Sequence, residues 1–146
     1  RGLHTEITFI GSGKLGYPDT ALAAFALGCD MVNVGREAMM AIGCIQAQRC
    51  HTGHCPTGVA TQSGWLSRGL NPSDKSVRVM NYIYALQDEI LRLCHSVGVT
   101  HPALIPESVV EIVNQEGTAV SILNYYGLLS IDQRLQESDF HYLESI

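Results

Sequence analysis

Three cysteines, Cys44, Cys50 and Cys55, fall within a dozen residues, five residues separating the first pair and four the second. Gly53 and Gly58 let the backbone curl between and after them, and Pro56 stops any helix directly beyond Cys55. Three thiols at this density on one short loop point to metal chemistry, because thiolates are soft ligands suited to zinc or to iron–sulfur clusters. A structural zinc site wants four ligands, which here would be the three cysteines and one of His51 or His54. The C-x₂₋₄-C spacing common in zinc knuckles is absent, as is the Cys-x-x-Cys redox dithiol. Three cysteines without a fourth nearby fit a cluster with three protein-bound irons, and His51 and His54 then read as solvated loop residues or outer contacts. The bland alternative is a set of reduced structural thiols.

The remainder of the composition bounds the class. The chain has 146 residues, room for one domain, and 46% of them are apolar, enough for a core. Only 16% are charged, which is low for a free-standing domain and hints at surface meant to be covered. The net charge of −5 and the lack of any Lys/Arg run argue against nucleic acid and against an electrostatic membrane patch. No apolar run approaches the roughly 18–20 residues of a transmembrane helix. The chain opens Arg1-Gly2-Leu3-His4, without an initiator Met or a signal-peptide core, as expected of a piece of a longer protein or a processed chain. Five cysteines, an odd number with three clustered, do not form a disulfide framework and suggest a reducing, cytoplasmic compartment.

The elements that must hold the loop come before it. Residues 5–11 read as a strand, β-branched and aromatic and ended by glycine. It runs into Gly11-Ser12-Gly13-Lys14-Leu15-Gly16, a glycine-containing turn whose backbone N–H groups can face an anion and whose Lys14 adds charge. Neither the GxGxxG nor the GxxxxGK[ST] spacing is present, so a Rossmann or P-loop reading is not supported. Asp19 or Thr20 starts an alanine-rich helix through Leu27, with Gly28 just past its end. Asp30–Gly35 is a second buried strand, and the unit is βαβ, which implies parallel strands. Gly35-Arg36-Glu37 then opens a short helix. In a parallel α/β protein the carboxyl ends of both strands share one rim, so Gly13-Lys14 and Gly35-Arg36 together make a phosphate cup, with Arg36 able to add a bidentate contact. The alternative for Arg36 is a surface pairing with Glu37.

After the loop, Asn71-Pro72-Ser73-Asp74 is a helix start, and the helix is expected to run to about Val97 with Val79, Ile83, Leu86, Ile90, Leu93 and Val97 as its buried stripe. Cys94 and Cys29 read as core cysteines. Short helices are expected over 106–113 and 118–126, and an irregular end over 128–146.

The loop Gly43-Cys44-x₅-Cys50-His51-x₃-Cys55-Pro56-x-Gly58-Val59-Ala60-Thr61-Gln62 resembles the iron–sulfur loop in the FMN-binding synthase domain of the glutamate synthase family. Ser12-Gly13-Lys14-Leu15, Ala26-Leu27-Gly28-Cys29-Asp30 and Val34-Gly35-Arg36 resemble that family's last two strands and its FMN phosphate site. The likeness spans residues 5–105 and is nearest to the glutamate-synthase-like branch. It implies an α/β fold: the carboxyl-terminal part, the last two βα units, of a (β/α)₈ TIM barrel, with the cluster loop at 43–62 inside a partial domain of residues 1–105 and a helical or irregular tail over 106–146. It implies FMN and a 3Fe-4S cluster as cofactors, with Cys44, Cys50 and Cys55 as cluster ligands and Ser12, Gly13, Lys14, Gly35 and Arg36 at the FMN phosphate. The activity it implies is reductive amination of 2-oxoglutarate to glutamate by reduced FMN, with electrons arriving from ferredoxin or an NAD(P)H-dependent reductase. About six barrel strands are missing, so the resemblance also implies a complementary chain or domain carrying the rest. Gly13-Lys14 stands where the family commonly has Gly-Gly, which adds an ammonium to the phosphate grip. The competing reading is a non-catalytic zinc- or cluster-binding module that serves structure or assembly.

Overall fold

A computed structural model describes residues 6–128 of the chain. It divides into two compact units with the boundary between Ile105 and Pro106.

The first unit is mixed α/β. Strand β1 (Ile10–Ser12) pairs in parallel with β2 (Met31–Asn33), Ile10 opposite Met31 and Gly11 opposite Val32. The first strand is shorter than the sequence suggests. Phe9 is nevertheless tied down: its N–H donates to the Asp30 carboxylate at 2.8 Å and its carbonyl accepts from the Asp30 N–H at 2.9 Å. Helix α1 (Pro18–Ala26) connects the strands. Pro18 sits in its first turn, where no N–H is needed, and Ala21 and Ala24 are buried on its inner face. Helix α2 (Gly35–Ala41) leaves directly from β2. A short helix α3 (Gly64–Ser67) follows the cysteine loop, capped by the Ser63 hydroxyl.

Helix α4 (Pro72–Ser96) is the longest element and packs on both α1 and α2. Asn71 caps it, its side chain accepting from the Ser73 N–H at 3.1 Å, as the sequence predicts. The stripe is narrower than predicted. Leu86, Ile90 and Cys94 are buried, whereas Ile83 and Val97, both expected inside, are exposed. The pattern is amphipathic, but α1 and α2 cover only one side of it. The sheet is likewise covered unevenly: Ile10 and Met31, a register pair, are 63% and 53% exposed, so this apolar sheet surface has no cover among the described residues.

The second unit corrects two expectations. In place of a helix over 106–113 there is a 3₁₀ turn at Glu107–Val109 and a strand β3 (Glu111–Val113). In place of a helix over 118–126 there is a strand β4 (Ala119–Ser121), antiparallel to β3, followed by a short helix α5 (Ile122–Tyr126). The reason is local. Asn114 accepts through its side chain from the N–H groups of Glu116 and Thr118, at 3.0 and 2.9 Å, and so folds residues 114–118 into a hairpin turn. Val-Val-Glu-Ile-Val and Ala-Val-Ser then pair as β-branched strands instead of coiling. Ile122 is fully buried in this unit. Residues 129–146, most of the end read as irregular, lie outside the described residues.

Candidate functional site

The cysteine loop begins where α2 stops. The Gly43 and Cys44 N–H groups donate to the last carbonyls of that helix, those of Met40 and Met39, at 2.9 and 3.0 Å, so Cys44 is held by the helix end and is half-buried. The Gln46 N–H lies 3.4 Å from the Cys44 Sγ. A single 3₁₀ turn, Cys50–Thr52, carries the second cysteine on the exposed side of the loop. The Thr61 hydroxyl donates to the Gly53 carbonyl and accepts from the Ser63 N–H, which closes the loop on itself.

Cys55 is the buried member. The chain turns over it, with the Gly58 N–H donating to the Cys55 carbonyl at 3.2 Å. Gly58 is required there. Its φ is +79°, and a Cβ would stand 2.5 Å from the Leu66 carbonyl oxygen, which is backbone and cannot swing aside. The turn aims donors at sulfur. The Thr57 hydroxyl lies 3.4 Å from the Cys55 Sγ. This hydroxyl first, then the N–H groups of Ala60, Thr57 and Val59, lower the thiol from its ordinary 9.0 to about 7, against the opposing effect of burial. A cysteine so placed reaches the thiolate, the form that binds metal, more readily than an ordinary thiol.

The three cysteines thus share one loop but stand in different settings, buried, half-buried and exposed. Among the described residues no three His, Cys, Asp or Glu side chains converge as a ready-made metal site. All three are free thiols. His54 directs its Nδ1 at the Thr52 carbonyl, 2.7 Å away, an internal loop contact.

The two expected anion-binding turns lie at the carboxyl ends of β1 and β2. Gly13 and Lys14 take positive φ values of 122° and 58°. The Thr20 hydroxyl is 3.1 Å from the Lys14 carbonyl and steadies that turn. At the second turn Val34 gives α2 no side-chain cap, so the N-cap residue does not compete for the first N–H groups of that helix. Arg36 does not pair with Glu37. Its Nη2 donates to the Gln46 Oε1 at 2.7 Å, so the turn after β2 and the cysteine loop are directly linked. Gln46 was not marked by any motif. The signal available is only its position, two residues after Cys44.

Two further residues escaped the sequence reading. Glu37 is 6% exposed, not a surface residue. Its side chain lies over Gly16, where any Cβ would collide with it. Tyr82 of α4 donates its phenol to the Gly16 carbonyl at 2.8 Å, across 66 residues of sequence. Burial chiefly, and then the negative charge of Glu37, push the Tyr82 phenol above its ordinary range. Nothing in a helical period distinguishes a tyrosine that reaches a neighbouring turn from one in solvent.

A parallel β–α unit with glycine-containing turns on its rim, followed at once by a three-cysteine loop, makes this part of the chain an α/β module. Comparison with known sequences makes this specific. Residues 1–100 match the conserved region in glutamate synthase, and the chain belongs to the glutamate synthase family. It is 37% identical over 123 residues to the glutamate synthase large subunit-like protein YerD of Bacillus subtilis, a match covering 84% of this chain and 23% of that protein. It is 41% identical over 98 residues to the archaeal glutamate synthase [NADPH] of Methanocaldococcus jannaschii, covering 67% of this chain and 19% of that one. A ferredoxin-dependent glutamate synthase of Synechocystis is 38% identical over 90 residues. The chain therefore spans about a fifth to a quarter of the first two relatives. Among the described residues, no helix is long and apolar enough to cross a membrane.

Proposed function

We propose that this chain is the cluster-bearing part of a glutamate-synthase-like oxidoreductase, the last two βα units of a (β/α)₈ barrel, and that it also supplies part of the FMN phosphate grip. The observation that carries this reading is the setting of Cys55: buried, met by a hydroxyl and three backbone N–H groups, and lowered to about 7 in a loop that holds two more free cysteines. In kind, the donor set suits a 3Fe-4S cluster: three thiols, one of them held below the ordinary thiol range, with N–H groups of the sort that tune cluster sulfurs. Cys44, Cys50 and Cys55 would be the ligands. Bound there, the cluster supplies one-electron transfer and the flavin hydride transfer.

The chain's own residues hold and orient. Ser12, Gly13, Lys14, Gly35 and Arg36 would bind the FMN phosphate through backbone N–H groups and the Lys14 ammonium. Arg36, through Gln46, fixes the cysteine loop relative to that turn. The exposed Ile10–Met31 surface supports a complementary chain or domain, because a parallel sheet is stable only with both faces covered. Electrons would come from ferredoxin or an NAD(P)H-dependent reductase, and 2-oxoglutarate would be the acceptor. Free thiols in the loop support a reducing, cytoplasmic setting.

The test is metal analysis of the assembled protein, purified without oxygen together with its complementary segments. Iron, acid-labile sulfide and releasable FMN are expected. One zinc without sulfide would leave a structural or assembly module in place of the enzyme.

A further inference from the structure

Gln46 has a φ of +55°, in the left-handed region that residues other than glycine rarely enter. Such a backbone persists where its surroundings over-determine it, and here the side chain is held at both ends. Its Oε1 accepts from the Arg36 Nη2 at 2.7 Å, and its Nε2 lies against the Met40 Sδ. Arg36 and Met40 stand one turn apart on the same face of α2, so the Gln46 amide lies back along that face. Folded in this way, Gln46 carries its backbone N–H to within 3.4 Å of the Cys44 Sγ. Cys44 is thus met at two atoms: its own N–H donates to the Met39 carbonyl at 3.0 Å, and its sulfur faces the Gln46 N–H.

A guanidinium carries five N–H donors in a rigid planar fork. The Gln46 Oε1 is the hydrogen-bond partner of Arg36 among the described residues, so the other donors are open to an oxyanion. Because the fork is rigid, an anion that engages those donors also orients the Nη2 that holds Gln46. We propose that Gln46 is a positioning residue that couples a phosphate monoester bound at Arg36 to the sulfur of Cys44. The bound phosphate fixes the guanidinium, the guanidinium fixes the Gln46 amide, and the left-handed turn then holds its N–H on the sulfur. The inference rests on the reading in which Arg36 helps to grip the FMN phosphate and Cys44 is a cluster ligand, and it adds the link between the two. A donor on a ligand sulfur stabilises added negative charge there, so the contact also raises the reduction potential of the group that Cys44 ligates.

The experiment compares wild type with Q46G and Q46E in the assembled protein. Glycine accepts the left-handed backbone but removes the amide, whereas glutamate keeps an oxygen for Arg36. Amide hydrogen exchange over residues 44–49 is measured with the flavin removed and again with FMN restored. FMN should slow exchange there roughly threefold to tenfold in wild type, to a similar extent in Q46E, and not in Q46G, although Q46G still binds FMN. With FMN bound in both, the reduction midpoint of the cluster should be lower in Q46G than in wild type. Slowing that is absent from wild type or equal in Q46G, or a midpoint that Q46G leaves unchanged, overturns the coupling while the cofactor reading stands. If wild type takes up no FMN, or no iron and sulfide, the coupling fails together with the reading beneath it. Should Q46G not assemble, Q46L, which keeps the bulk and lacks the amide, takes its place with the same outcomes.

Discussion

Cys55 in the loop and Cys94 in the long helix are both buried thiols, and their surroundings push them in opposite directions. At Cys55 a hydroxyl and three N–H groups converge on sulfur and bring it to about 7. At Cys94, fully buried among the side chains of α4 and its neighbours, the loss of water dominates and raises the thiol. Burial alone makes a cysteine inert. Burial with donors favours the thiolate. The difference lies first in the Thr57 hydroxyl and then in the backbone: a helix spends its N–H groups on its own carbonyls, whereas a loop turning at Gly58 leaves several free to face inward.

The largest expected consequence of that contrast is at the cysteines themselves. Cys55→Ala should abolish cluster incorporation in the assembled protein, read as loss of its paramagnetic signal. Cys94→Ala should retain the signal and cost about 1–3 kcal/mol of stability through a small cavity, read by urea unfolding. Equal loss of signal in the two variants would erase the distinction. Next in size is Gly58→Ala, which meets the Leu66 carbonyl and a left-handed backbone together. It should open the turn over Cys55 and lower cluster occupancy severalfold without unfolding α4, seen as reduced sulfide content with unchanged helical circular dichroism.

Thr57→Val tests the donors more gently. Thr57 contributes the foremost part of the Cys55 shift, so in metal-free protein the thiolate absorbance midpoint should climb from about 7 toward 9.0. The linked stability has a definite sign. The folded form favours the thiolate, so the Cys55 contribution is complete above the ordinary 9.0 and fades as pH falls through about 7. A midpoint that stays put in the variant would move the credit to the N–H groups. Smallest is Asn71→Ala, which removes the cap of α4 and should cost about 1 kcal/mol while leaving the Cys55 titration untouched.

Much of this was legible in the sequence because it depends on neighbours in the chain. The Asn71-Pro72 start, the βαβ order and the three-cysteine spacing are local signals, and each has its counterpart in the structure as cap, parallel pair and loop. What was not legible depends on distant residues. The stripe on α4 could not announce that Ile83 and Val97 would stay outside, since that follows from how little α1 and α2 cover. Glu37 looked like a surface partner for Arg36 until α4 packed over it. The β3–β4 hairpin was hidden because Val-Val-Glu-Ile-Val fits a short helix as readily as a strand, and the Asn114 turn decides between them. That the N–H groups after Cys55 aim at its sulfur follows from the path of the turn, which spacing does not reveal.

The central claim is that the Cys44–Cys55 loop holds an iron–sulfur cluster in a flavin enzyme. Iron and sulfide quantification with electron paramagnetic resonance on the anaerobically purified assembly tests it most directly. The account predicts three irons and four sulfides per chain and a signal in the oxidised protein that disappears in Cys55→Ala. One zinc per chain, no sulfide and no signal would contradict it.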